Sequence, residues 1–219
     1  MKKQSIIIAL SIVLTMFISF FQICVAKEYK FPDLKWTERT SSGKEYIVEH
    51  YAVREITQAT NIEVINGYPD GTFRPNESIS REEFIKMLMV LATNRSFDFA
   101  SVDTNYTSWA GPYVTIAEMQ GVIEPGTYND KNLKDPITRL EMVFMLSKTQ
   151  ILMKGIPQNQ LGSLVYTDIN FLTEEEKDLI LHAVKYDLLE GMKDGTSKLF
   201  QPTNKLTRGE AAAALMRIY

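Results

Sequence analysis

Three times in 219 residues the chain places the pattern Ser/Thr-Arg-x-Glu at the head of an apolar run: Ser80-Arg81-Glu82-Glu83, Thr138-Arg139-Leu140-Glu141 and Thr207-Arg208-Gly209-Glu210. A hydroxyl followed three residues later by a glutamate is a capping box. The hydroxyl accepts the N3 amide of a helix, and the glutamate reaches back to the N-cap amide. Ser80 and Glu83, Thr138 and Glu141, and Thr207 and Glu210 therefore predict three helix starts. A chain that begins three helices alike is built from repeated units. The arginine plays no part in capping and sits against the helix dipole, whose N-terminus already carries about half a positive charge. A cation repeated at this position points to an anion as its partner.

The surroundings of the boxes repeat as well. The first unit reads Phe31-Pro32-Asp33, a helical stretch over residues 46–59, Asn66-Gly67-Tyr68-Pro69-Asp70-Gly71, and Phe73-Arg74-Pro75 before its box. The last reads Tyr166-Thr167-Asp168, a helical stretch over 174–189, Glu190-Gly191 and Asp194-Gly195, and Phe200-Gln201-Pro202. The middle unit runs Val102-Asp103, Trp109-Ala110, a helix through Tyr113, Ile116 and Met119, and an altered turn holding Pro125-Gly126. The box arginines lie 58 and 69 positions apart, so loops vary while elements recur. After the boxes, Phe84, Met87, Leu88 and Leu91, then Met142, Met145 and Leu146, then Ala211, Ala214, Leu215 and Ile218 fall at helical spacing. Two amphipathic helices bury little alone, so three units sharing one core is the expected solution.

Ahead of the repeats stands a basic start, Met1-Lys2-Lys3, then an apolar stretch over 6–21 and the small-residue site Cys24-Val25-Ala26. This reads as an export signal over 1–26, cleaved after Ala26; a retained membrane anchor is the competing reading. Cleavage removes the only cysteine, so no disulfide holds the exported chain. It also removes two lysines and no acid, taking the net charge from −3 to −5. That balance argues against a nucleic-acid partner, which would call for a basic stripe.

The ordered combination of the aromatic-x-Asp lead-in, the Gly-Tyr-Pro-Asp-Gly-Thr-Phe-Arg-Pro turn and the Thr-Arg-x-Glu box resembles the S-layer homology modules of bacterial surface proteins. The resemblance spans three consecutive modules, at 27–93, 98–155 and 163–219. It implies a mainly α fold, a pseudo-threefold bundle shaped as a three-pronged spindle. It also implies non-covalent anchoring at the cell surface by binding a secondary cell-wall polymer, a peptidoglycan-linked polysaccharide often bearing pyruvyl ketals on an amino sugar, in grooves between modules. The competing function is a surface protein-interaction or assembly element whose glycan sites have degenerated.

Under this resemblance the ligand-binding arginines are Arg81, Arg139 and Arg208. A guanidinium grips a carboxylate with two parallel hydrogen bonds, and free first-turn amides would add to the same anion site. Each arginine reads equally as a surface residue or the partner of an acid in the next unit. Asp33, Asp103 and Asp168 either cap the first helices or hold the arginines in orientation. Gly67, Gly126 and Gly191 supply turns and, by the resemblance, let a sugar approach the backbone. Tyr68 and Trp109 are candidates to stack on a sugar, although a buried anchor suits Trp109 better. Asp135, in the middle unit, is expected to repel an anion, which ranks the first and third sites above the second.

No reaction chemistry emerges. His50 and His182 are the only histidines and lack metal-ligand spacing, and no phosphate loop or nucleophile elbow is present. Neither a cofactor nor a metal is expected, and the chain does not read as an enzyme. Oligomeric state has no signature in the sequence.

Overall fold

The computed structural model describes residues 30–94, 96–155, 164–189 and 199–219. Residues 31–219 fold as one compact unit. Gly191, the Asp194-Gly195 turn and the export signal lie outside the described residues.

The described fold is mainly helical. A hairpin of β1 (Lys35–Arg39) and β2 (Glu45–Glu49) leads into α1 (Val53–Asn61), then α2 (Arg81–Ala92), α3 (Gly111–Met119), α4 (Arg139–Lys154), α5 (Glu174–Lys185) and α6 (Arg208–Ile218). The sequence reading put a helix over 46–59, and the structure corrects its first half. Trp36 faces Val48 and Thr37 faces Ile47 in an antiparallel pair, turned through Gly43 at φ 84°. Aromatic and β-branched residues favour this pleated arrangement, and the segment 36–44, which has no counterpart at the same spacing in the other units, forms most of β1 and the hairpin turn.

The three boxes form as full capping boxes at the starts of α2, α4 and α6, and Thr173 with Glu176 makes a fourth at α5. α4 ends on Gly155 in the left-handed region at φ 63°, where glycine carries no steric penalty. Every apolar residue named above behind the boxes is buried, from Phe84 to Ile218. The side chains named on these three stripes are therefore core.

The residue before each cap ties the units together. Ile79 donates its amide to the Leu206 carbonyl (3.1 Å), Leu206 to Ile137 (3.2 Å), and Ile137 back to Ile79 (3.0 Å). All three side chains are buried. A second ring lies one step outward: the amides of Arg81, Arg139 and Arg208 donate to the carbonyls of Asp135, Asn204 and Glu77, at 3.0, 2.9 and 2.8 Å. Each acceptor sits four residues before the neighbouring unit's box arginine. Packing follows the same order. α2 packs on α3, α4 on α5, and the last capped helix, α6, on the first helix, α1. The two ends of the repeat region therefore complete one another, and α2, α4 and α6 also touch mutually.

Candidate functional site

The rings of main-chain bonds decide what the helix starts offer. The N1 amides go to neighbouring carbonyls, as do the N2 amides of Leu140 and Gly209, to Pro202 and Pro75. The N3 amides go to the cap hydroxyls. Against the expectation of free first-turn amides beside the box arginines, unit-to-unit pairing and the caps use all of them in α4 and α6 and those of Arg81 and Glu83 in α2.

Arg81 and Arg208 are gripped by the protein itself. Arg81 donates from Nε to Glu141 Oε1 (2.7 Å), and from Nη1 to the Asn132 carbonyl (2.7 Å) and Asp135 Oδ2 (3.2 Å). Arg208 is 6% exposed; it donates to the Phe73 carbonyl (3.0 Å), the Asn66 carbonyl (3.1 Å) and Glu83 Oε1 (3.2 Å). Its guanidinium also lies over the rings of Tyr68 and Phe73 at 4.7 and 4.9 Å. In both, the arginine of one box meets the glutamate of the next box in cyclic order. Asp135 likewise acts on Arg81 of the first unit, not on the arginine of its own, so its charge bears on a different cleft from the one the sequence assigned.

Glu141 is the hub of this pairing. It accepts the Thr138 amide and hydroxyl on one oxygen, and Arg81 and the Tyr128 hydroxyl on the other. Burial pushes its pKa up, but the bonds from Thr138 and the Arg81 guanidinium outweigh burial and hold it below the usual value. Burial raises the Tyr128 hydroxyl well above its ordinary range.

The leading aspartates neither cap helices nor touch the arginines. Asp33 accepts the amides of Phe73 (2.9 Å) and Arg74 (2.6 Å); Asp168 accepts those of Phe200 and Gln201, both at 2.7 Å. Arg74 and Gln201 both hold left-handed backbone, at φ 58° and 59°, which costs a non-glycine residue roughly 1–2 kcal/mol. The carboxylates clamp these strained turns. The Phe73 carbonyl on the far side of the clamped peptide receives Arg208, so Asp33 orients that arginine at one remove. Asp103 is exposed and makes no hydrogen bond among the described residues. Its work is done from the opposite strand of chain by Asp130, which accepts the amides of Thr107 (2.9 Å) and Ser108 (2.8 Å).

Gly67 is fixed by packing: a Cβ there would stand 2.1 Å from Phe31 Cε1 and 2.7 Å from the Thr72 carbonyl. Gly126 is open and turns at φ 80°. Tyr68 lies against Arg74, whose guanidinium is 4.0 Å from the ring centre. Trp109 is 56% exposed, so the anchor reading fails; its neighbour Ala110 fills the core instead. His50 accepts the Ala52 amide on Nδ1 and packs on Gly209, and His182 pairs with Gln150 at 2.8 Å. Among the described residues there is no cluster able to hold a metal ion, and no helix is long and apolar enough to cross a membrane.

The remaining box arginine, Arg139, lies half-buried at a junction between units. Arg139 lines a cleft of about 190 Å³ between α4 and α6, together with Glu210 and Arg217 of the last unit and Tyr51 of the first. Sequence reasoning passed over Tyr51 and Arg217. Their only signal is position: Tyr51 stands two residues before α1 begins at Val53, and Arg217 stands nine residues after a box arginine.

Two stretches of this chain match the S-layer homology domain. They are residues 47–85 and 180–212, which hold the first and last boxes. The chain is also 22% identical over 171 residues to an amylopullulanase of Thermoanaerobacterium thermosulfurigenes, 23% over 171 to the exoglucanase XynX of Acetivibrio thermocellus, and 27% over 168 to cell surface glycoprotein 1 of Acetivibrio thermocellus. These alignments take in 77%, 77% and 70% of the chain but 9%, 15% and 7% of the relatives. The chain thus spans less than a sixth of the length of these relatives, and the likeness is to their S-layer homology part.

Proposed function

We propose that residues 27–219 form three S-layer homology modules, at 27–93, 98–155 and 163–219, arranged as a pseudo-threefold spindle that anchors to the bacterial cell wall. The closed ring through Ile79, Ile137 and Leu206 supports counting the middle unit as the third module, since equivalent positions in all three units exchange equivalent bonds. The partner is a peptidoglycan-linked secondary cell-wall polysaccharide carrying carboxylates, such as pyruvyl ketals, and the chain acts at the cell surface after export through its 1–26 signal. Catalysis belongs to other regions of the enzyme relatives; in this reading the chain is a binding module.

The observation that carries the proposal is the cleft at the junction of units, where Arg139 meets residues of both neighbours. A cleft assembled from three modules exists only in the complete assembly, which suits an anchor. The rival reading, a protein-interaction element with decayed glycan sites, draws on Arg81 and Arg208, whose guanidinium groups are spent on internal carbonyls and carboxylates. Co-sedimentation with purified cell walls, before and after chemical removal of ketal pyruvate, decides between them. The anchor reading expects binding that falls with pyruvate removal; binding indifferent to it favours the rival.

A further inference from the structure

The hairpin of β1 and β2 stands outside the repeat, and all of its strand residues except Val48 are exposed. A two-stranded ribbon alone in water is marginally stable and gains by packing a face against another layer. Residues paired across the strands share a side and successive residues alternate, so the register divides the ribbon into two faces. Trp36, Glu38, Tyr46 and Val48 lie on one of them. There Glu38 accepts the Trp36 indole Nε1 on one oxygen (2.8 Å) and the Tyr46 hydroxyl on the other (2.7 Å), so this face satisfies its own polar groups. The opposite face carries Lys35, Thr37 and Arg39 on β1 and Glu49, Ile47 and Glu45 on β2. A row of cations thus runs beside a row of acids, with Ile47, 67% exposed, between the acids. Arg39 and Glu45 form an ion pair across the strands.

We infer that the charged face is a self-association surface, on which a second copy of this chain stacks its own hairpin about a twofold axis running along the strands. The charges select that axis. Rotation about it lays β1 of one copy over β2 of the other, so Lys35 meets Glu49 and Arg39 meets Glu45, twice over by symmetry. Each group keeps its cross-strand neighbour and gains a second one of opposite sign. A twofold axis across the strands would instead lay Lys35 over Arg39 and Glu45 over Glu49. Edge-to-edge pairing centred on Thr37 or on Ile47 brings the same like charges together, and these repel. Sheets stacked about the chosen axis run aligned, about 10 Å apart, as packed sheets do. The two Ile47 side chains then meet near the axis, away from water. Such an interface is self-complementary and closes at two copies. The face is five residues long, about 17 Å, and two strands wide, which falls short of the roughly 800 Å² per partner of a stable complex. The pair is therefore weak and forms at high local concentration. Self-association stands apart from the wall-anchor reading, although two joined chains would hold a common polymer more tightly than one.

The test is sedimentation velocity on residues 27–219 over a concentration series at low and high salt. The parent is expected to form a dimer whose dissociation constant rises severalfold with salt. Ile47→Asp and Arg39→Glu should each weaken it tenfold or more, with melting curves unchanged. The decisive variant swaps the rows: Lys35→Glu, Arg39→Glu, Glu45→Arg and Glu49→Lys together keep every cross-strand pair within the hairpin. This chain should dimerise as the parent does. Mixed with fluorescently labelled parent, it should enter mixed dimers at least tenfold less readily than its own kind, because like rows then face one another. A hairpin whose charges serve only its own fold produces no such exclusion. A parent that stays monomeric throughout overturns the inference, and if it still co-sediments with cell walls the anchor reading survives. A dimer that tolerates Ile47→Asp, or that admits the swapped chain freely, uses another surface and also overturns it. Growth into open polymers would put the contact on the strand edges and refute the twofold stack.

Discussion

Replacing Asp33 by alanine removes the acceptor of two main-chain amides, those of Phe73 and Arg74, while leaving the apolar core untouched. An orphaned amide costs roughly 1–3 kcal/mol when buried. This clamp is only partly buried, so the lower half of that range applies, giving about 2–4 kcal/mol for the pair. Relaxation of the left-handed Arg74 recovers some of this, since its strain is no longer enforced. For a unit of this size each kcal/mol moves the melting temperature by roughly 2–4 °C, so Asp33→Ala should lower it by on the order of 4–16 °C. Asp168→Ala should behave alike, because Asp168 holds Phe200 and Gln201 in the same way. Asp130→Ala should destabilise comparably through Thr107 and Ser108. Asp103→Ala should stay within about 0.5 kcal/mol of the parent, as an exposed side chain without such a role. Urea unfolding with a shared m-value is the assay. If Asp103→Ala is as damaging as Asp33→Ala, or Asp33→Ala is neutral, the clamp assignment is wrong.

Gly67→Ala drives a methyl group into Phe31 and the Thr72 carbonyl, and the backbone oxygen cannot swing aside; a loss of about 1–3 kcal/mol in urea unfolding is expected. Acid should weaken the fold in two windows. His182 is buried, and burial, with Lys185, depresses its pKa, so its share of stability is complete above the unfolded value near 6.5 and declines as pH falls below it. Glu141 also has a depressed pKa, so its contribution is complete above about 4.3 and is lost as pH falls through its folded value. Stability followed from pH 7 to 3 should show both declines, and Glu141→Gln should flatten only the lower one.

What the sequence made legible is what local chemistry controls. A hydroxyl and a glutamate three residues apart need no distant partner to start a helix, and α2, α4 and α6 begin at those residues. The stripes behind them obey the helical period and are buried. The hairpin was misread because Tyr46-Ile47-Val48 is a short apolar run that suits helix or strand, and alignment with the other units favoured the helix. The uses of Asp33 and Arg208 were hidden for another reason. Asp33 works on an amide 40 residues away, and Arg208 on a carbonyl 135 residues away, and no periodicity reports such distances. Asp103 and Asp130 show the limit of reasoning by repeat: the clamp persists in the middle unit while the acid has moved to the opposite side. Trp109 misled because its size argues for burial, whereas the small Ala110 beside it occupies the core.

In the proposed anchoring, an anionic saccharide enters the cleft lined by Arg139, Arg217 and Tyr51. Arginine side-chain NMR, following the Nε–Hε signals during titration with the pyruvyl-ketal glycoside, observes that event at each guanidinium separately. The signals of Arg139 and Arg217, which line that cleft, should shift together and saturate, while that of the buried Arg208 stays in place. Shifts confined to Arg81 or Arg208, or none at saturating ligand, would contradict it.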